Sequence, residues 1–243
     1  MGWYRADILG NRVLFTDRRG GISTPPFDSL NLALAADAPA SHAADVEENR
    51  ARATRALTPD PVPWVPMRQV HGAAVAVDGA HGPACDADAV VVTRPGLAGA
   101  VLTADCAPLA IVGTGAVAAV HAGWRGLVAG VIGAAVRTMR DLGVEPVEAI
   151  VGPCIHPCCY EFGPDDLAVV ESALPSSATG LRATTTSGAP ALDVPAAVRV
   201  ALAEVGVPRI TEIGVCTSCS PDYFSHRRDG TTGRQGLLVA VPS

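Results

Sequence analysis

Residues 101–126, VLTADCAPLAIVGTGAVAAVHAGWRG, constrain this chain more than any other stretch, because two apolar runs flank Thr114-Gly115. A two-residue turn there closes a β-hairpin that sets His121 opposite Pro108 and Cys106 opposite Gly123. Strand side chains alternate with period two, so Cys106 and Pro108 share a face. Cys106 and His121 then become diagonal neighbours, roughly 7–8 Å apart at Cα. Metal–sulfur and metal–nitrogen bonds of about 2.3 and 2.0 Å close that gap around one ion. A three-residue turn would shift the register by one and turn the two side chains to opposite faces.

At 243 residues the chain is long enough to bury a full core. A charged fraction of 17% and a hydrophobic fraction of 49% place it among soluble globular proteins rather than disordered ones. The net charge of -6 argues against nucleic acid or an anionic membrane surface as partner. No run of about eighteen apolar residues is available for a spanning helix. The start, MGWYRADILGNRV, lacks the apolar centre of a signal peptide, so the expected location is the cytoplasm. The seven cysteines, at 85, 106, 154, 158, 159, 216 and 219, are odd in number, which favours thiols or metal ligands over a disulfide framework.

Hydrophobic periodicity predicts strands in NRVLFTD, VPWVPMRQVHG, AAVAVDG, ADAVVVT, VEAIVG, ITEIGV and GLLVAVP. Helices are expected at 43–57, in LVAGVIGAAVRTMRDLG, in PDDLAVVESAL and in DVPAAVRVALAEVG. The last has Asp193 as N-cap and Pro195 in its first turn. Between Arg18 and Ser41 lies a long loop rich in Gly, Pro and Ser, of a kind more often functional than idle. PSSATGLRATTTSGAPA reads as a surface excursion. With neither an internal repeat nor a linker, a single α+β domain over 1–243 is the simplest organisation.

A metal at Cys106 and His121 needs a third ligand, and His71, at the end of RQVH with Gly72 beside it, is the best placed. His42, His81 and His156 have less behind them. Two histidines and one cysteine without a fourth protein ligand suit a catalytic zinc that keeps a position open. Each of the three, taken alone, also fits an ordinary structural role. A competing set, Cys154, Cys158, Cys216 and Cys219, has the spacing for a structural zinc, although packed free thiols are the default for these cysteines. Arg125, just after His121 where the strand turns into the expected long helix, offers a seat for phosphate or carboxylate at a helix N-terminus. Arg227, Arg228 and Arg234 add guanidiniums in the Gly-rich FSHRRDGTTGRQ. No G-x-S-x-G elbow, P-loop or dinucleotide fingerprint occurs.

In this order, FTDRRGGISTPPFDSLNLA, VEENR, RQVHG, TADCAPLAI, VAAVHAGWRG, VGPCIHPCCYEF and YFSHRRDGTTGRQ make the chain similar to the bacterial laccase-domain proteins. Those proteins were first described as multicopper polyphenol oxidases and later as purine nucleoside phosphorylases with adenosine deaminase activity. The resemblance spans Phe15 to Gln235. It implies a four-layer α/β/β/α sandwich with mixed sheets, and a zinc held by His71, Cys106 and His121. Nucleoside and phosphate are the implied substrates, with Arg50, Arg68, Arg125, Arg227 and Arg228 as candidate substrate-binding residues. Cys106, His121 and Asp105 are the candidate catalytic residues, Asp105 for proton transfer. Copper follows only from the older family label, and three ligands with so few histidines do not build a multicopper cluster. The resemblance leaves two other activities open: a hydrolase using a Cys106–His121 pair, and removal of misincorporated serine from a peptidoglycan precursor. A zinc-stabilised interaction module is the non-enzymatic reading.

Overall fold

The computed structural model describes residues 3–33, 40–60, 62–79, 84–174 and 180–242. The chain begins with β1 (Tyr4–Ile8), β2 (Asn11–Phe15), α1 (Ala40–Leu57), β3 (Met67–Arg68), β4 (Val75–Val77), β5 (Cys85–Asp86) and β6 (Ala89–Val92). It continues through β7 (Gly99–Thr103), β8 (Ala107–Gly113), β9 (Ala116–Ala122), α2 (Trp124–Val128), α3 (Val131–Asp141) and β10 (Pro146–Val151). The remainder holds α4 (Pro164–Ala173), β11 (Arg182–Thr184), β12 (Pro190–Leu192), α5 (Val194–Glu204), β13 (Ile210–Glu212), α6 (His226–Asp229) and β14 (Gln235–Ala240).

Two large sheets stack face to face. One is antiparallel, in the order β1-β2-β14-β7; the other is mixed, in the order β13-β10-β8-β9-β6-β4, with parallel pairs at its two edges. The helix α1 covers the outer face of the first sheet, where Ala53 and Leu57 pack with Leu14, Leu238 and Ala240. Val13, Phe15, Val101, Leu237 and Val239 meet Val90, Ala110, Val112, Val117 and Ala119 between the sheets. On the far side, Leu127, Ile132, Val136, Met139 and Leu202 cover Leu109, Ile111, Ala118 and Val120. The result is the four-layer α/β/β/α sandwich.

The β8–β9 hairpin has the expected register, from Ala107↔Ala122 through Pro108↔His121 to Gly113↔Ala116. All residues of both strands are buried, because one face meets helices and the other meets the opposing sheet. Asp193 caps α5 by accepting from the Ala196 N–H at 2.9 Å.

Several expectations are corrected. LVAGVIGAAVRTMRDLG is not one helix: Gly130 takes φ 80°, a left-handed conformation that interrupts the ladder between α2 and α3. The apolar stripe nevertheless crosses the break, with Leu127, Val131, Ile132, Ala135, Val136 and Met139 all buried. Of VPWVPMRQVHG only Met67–Arg68 forms a strand, since Pro63 and Pro66 cannot donate to a ladder. The excursion after α4 contains the β11–β12 hairpin. β1 and β7 extend the first sheet beyond the strands expected for it. His81 and residues 34–39 of the long loop lie outside the described residues. Among the described residues, no helix is long and apolar enough to cross a membrane.

The long loop is tied down by Asn49, which is fully buried. Its amide donates to Ser23 Oγ at 2.9 Å and to the carbonyls of Ser29 and Asn31, and its Oδ1 accepts from the Ile22 N–H. At the next position along α1, Arg50 Nε donates to the Leu32 carbonyl at 2.8 Å. VEENR therefore acts as a clasp that fixes this loop beside the candidate site.

Candidate active site

The hairpin supplies Cys106 and His121 from adjacent strand ends. His71 arrives from the loop after β3, at φ 59°, a conformation uncommon for a residue other than glycine. A single buried carboxylate stabilises that loop. Asp88 accepts the backbone N–H groups of Val70, His71 and Gly72 at 3.1, 2.9 and 2.7 Å. It also accepts Nδ1–H of His121 at 2.8 Å. The contact fixes the His121 tautomer and leaves Nε2 free to act as a ligand, the carboxylate–histidine support usual behind metal-binding imidazoles. No spacing rule in the sequence pointed to Asp88; its one signal is an acidic residue immediately before the apolar run AVVV.

One ligand atom from each of His71, Cys106 and His121 lies within 4.8 Å of the others, and Cys106 Sγ is 3.9 Å from His71 Nε2. The two imidazole rings meet edge to face at 4.7 Å. Gly123 is required here: a Cβ on it would lie 2.9 Å from His71 Cδ2 and 3.0 Å from Cys106 Sγ.

Electrostatics match a cation site. Burial alone would push Asp88 up, but its hydrogen bonds to His121, Gly72 and Val70 bring it down to about 2. Burial opposes ionisation of Cys106 too, and hydrogen bonds from His121 and His71 reverse this, lowering the thiol to about 6. Burial would lower His121, while Asp88 and Cys106 together raise it to about 9. A lowered thiol beside two imidazoles is a donor set that a divalent cation would also satisfy. Two nitrogens and one sulfur are a donor set of the kind that would hold a zinc-class cation.

These residues line a cavity of ≈ 730 Å³, bounded also by Ala33, Arg50, Met67, Gln69, Leu102, Thr103, Ala104, Trp124, Arg125, Tyr160, His226 and Arg234. The volume is in the range of small-molecule sites. Of the arginines named from sequence, Arg50, Arg125 and Arg234 reach it. Arg125 stacks over Trp124, 4.3 Å from the ring centroid. The helix that carries Arg125 is the five-residue α2, so the positive potential there comes from the guanidinium rather than from a long helix dipole.

Arg68 instead pairs with Asp86 at 2.6 Å on the surface. Arg228 is consumed structurally: its guanidinium donates to the carbonyls of Thr217, Ser218, Ser220 and Tyr223 and to Asp229. Arg227 lies over Tyr160, 4.8 Å from the ring centroid, and donates to the Glu161 carbonyl. Asp105 is buried, with its two oxygens accepting from Thr217 Oγ1 and the Arg227 N–H, each at 2.7 Å. Its carboxylate therefore braces the cavity wall. His226, Gln69 and Tyr160 line the cavity without having been singled out as site residues. The Gln69 amide pairs both ways with the Leu102 backbone, and His226 Nδ1 donates to the Gly230 carbonyl at 2.7 Å.

Comparison with known proteins gives one consistent result. The family model described as multi-copper polyphenol oxidoreductase laccase matches residues 12–242. A protein of Streptomyces coelicolor named purine nucleoside phosphorylase is 44% identical over 238 residues, covering 95% of each chain. One of Streptomyces griseus with the same name is 46% identical over 239 residues, covering 94% of each. The crystal structure of YlmD from Geobacillus stearothermophilus superposes with a TM-score of 0.89 at 32% identity, over 100% of this chain and 97% of that one. A Neisseria meningitidis protein superposes with a TM-score of 0.87 at 33% identity over the whole of both chains. The fold shared from end to end and the family match over nearly every residue lead to one conclusion: this chain belongs to the multi-copper polyphenol oxidoreductase laccase family.

Proposed function

We propose that this protein is a zinc-dependent purine nucleoside phosphorylase that also deaminates adenosine, with zinc at His71, Cys106 and His121. The observation that carries the reading is the joining of that donor set to one cavity walled by aromatic rings and guanidiniums. The two Streptomyces relatives named purine nucleoside phosphorylase support it.

In phosphorolysis a phosphate oxygen forms a bond to the ribose C1′ carbon as the bond to the purine nitrogen breaks, and the bonding pair leaves with the base. The chain must hold phosphate in line and stabilise the departing charge. Arg125, Arg50 and Arg234 hold and orient the anion, and Trp124 and Tyr160 offer flat faces to the purine. With Nδ1 bound to a carbonyl, His226 presents Nε2 as a proton-transfer group at the cavity. Asp105 serves as a positioning residue for the Arg227 backbone and the Thr217 hydroxyl rather than as the proton carrier. When bound, zinc supplies a Lewis acid.

Arg125→Ala is the direct test. Loss of a charge-assisted contact raises the phosphate KM about ten- to a hundredfold. Adenosine deamination, which consumes water and no phosphate, falls much less. An equal fall in both activities with fold and zinc intact overturns the phosphate assignment. A second reading, a Cys106–His121 hydrolase, draws on the lowered Cys106 thiol. It requires turnover by the metal-free protein without phosphate. Incubating inosine, adenosine and a serine-containing peptidoglycan precursor, each with and without phosphate and chelator, separates these chemistries.

A further inference from the structure

A second cluster of ligating atoms stands outside the cavity, where the segment after β10 meets the segment after β13. Backbone contacts join them: Cys154 and Cys216 form an isolated bridge, and the Thr217 N–H donates to the Cys154 carbonyl at 3.0 Å. The Cys159 and Tyr160 N–H groups both turn back to the His156 carbonyl, which directs successive cysteines toward the 216–219 turn. As a result Cys158 Sγ lies 3.8 Å from Cys216 Sγ and 3.5 Å from Cys219 Sγ, and Cys159 Sγ lies 3.3 Å from Cys219 Sγ. All four sulfurs fall within 4.8 Å of one another. The membership differs from that suggested by spacing: Cys154 is 1% exposed and belongs to the core beside Ile155, and Cys159 takes its place.

A tetrahedral ion with metal–sulfur bonds of about 2.3 Å sets its four sulfurs about 3.8 Å apart. A disulfide needs about 2.04 Å between its two sulfurs, whereas the sulfur contacts here run from 3.3 to 3.8 Å. Here Cys158 and Cys219 each approach two other sulfurs, a pattern of one shared centre rather than of pairs. The His156 N–H also points at Cys216 Sγ, at 3.4 Å, the kind of donor that supports a ligating thiolate. We propose that Cys158, Cys159, Cys216 and Cys219 form a second metal site, which binds a zinc-class divalent cation through four thiolates and leaves no coordination position open. On binding, the cation displaces the four thiol protons to solvent. The closed sulfur shell makes the site structural, and its neighbours connect it to the cavity. Tyr160 lines the cavity next to Cys159, and Thr217 holds Asp105 from within the 216–219 turn.

The test reads metal rather than turnover, so it stands or falls independently of the proposed activity. Protein prepared under anaerobic, reducing conditions is expected to hold two zinc ions per chain, and Cys106→Ala to hold one. In cobalt-loaded Cys106→Ala, the absorption spectrum shows the intense thiolate charge-transfer and tetrahedral d–d bands of a four-sulfur site. The Cys159→Ser/Cys219→Ser double variant also holds one ion, without those four-sulfur bands. If the double variant does not fold, the cobalt spectrum of Cys106→Ala decides alone. A folded Cys106→Ala protein that binds no metal overturns the proposal, as does anaerobic thiol counting that finds any two of the four cysteines joined as a disulfide.

Discussion

His71, Cys106 and His121 line a cavity and are braced by Asp88, whose carboxylate is buried among three N–H groups and an imidazole. Among the described residues, Cys158, Cys159, Cys216 and Cys219 have no such carboxylate; they are braced by backbone turns and by Arg228, which donates to the carbonyls of Thr217, Ser218 and Ser220 in the 216–220 turn and to Tyr223 and Asp229 beyond it. Among the described residues, the first cluster mixes nitrogen with sulfur and stops at three donors, whereas the second presents four sulfurs. The difference teaches how two donor sets in one chain can be held in place by different means. An incomplete donor set needs a buried charge to orient its imidazole and a cavity to receive substrate. A complete one needs only two loops held in register.

The two supports can be broken separately. Asp88→Ala has the largest expected effect, because it strands the buried His121 Nδ1 and removes the acceptor of three part-buried backbone donors. Denaturant titration is expected to show a loss of about 3–5 kcal/mol. Metal analysis is expected to show affinity at the first cluster lower by about ten- to a hundredfold, with the second cluster keeping its ion. Unchanged metal content would mean that the carboxylate does not organise the site.

Arg228→Ala strikes the other support. It removes charge-assisted bonds to four carbonyls and costs about 1.5–3 kcal/mol. The cobalt bands of the four-sulfur site are expected to weaken, while phosphate KM stays constant; a raised phosphate KM would make Arg228 a substrate-binding residue after all.

Gly123→Ala forces a methyl group against His71 and Cys106. Overpacking of this kind costs about 1–3 kcal/mol. The expected readout is a selective fall in metal affinity at the first cluster, measured by competition with a chelator. Arg68→Ala closes the series. Its salt bridge with Asp86 is exposed, so neither Tm nor phosphate KM is expected to change measurably.

Much of the candidate site was legible because it rests on local rules. Turn length and strand alternation place Cys106 and His121 on one face, and neither depends on the rest of the chain. The capping Asp193 and the apolar stripe from Val131 to Met139 are legible for the same reason. The helix break was not, since a glycine within an apolar helical pattern can be tolerated or can stop the helix. Gly130 stops it, and Gly133 lies within α3.

By itself, then, the sequence determined the hairpin, its register, the pairing of a thiol with an imidazole, and the helix and strand periodicities from which two stacked sheets can be built. Tertiary structure decided which distant segments touch those elements. Asp88 became the organising carboxylate because the His71 loop folds over the start of β6, and Asn49 became a clasp because α1 lies beside the long loop. Charge alone cannot sort arginines: Arg50, Arg125 and Arg234 reach the cavity, whereas Arg68 and Arg228 are held by a surface aspartate and by a turn. The exchange of Cys154 for Cys159 has the same origin. A side chain's bonding partners far along the chain are fixed by how loops converge in space, and no period in the sequence encodes that convergence.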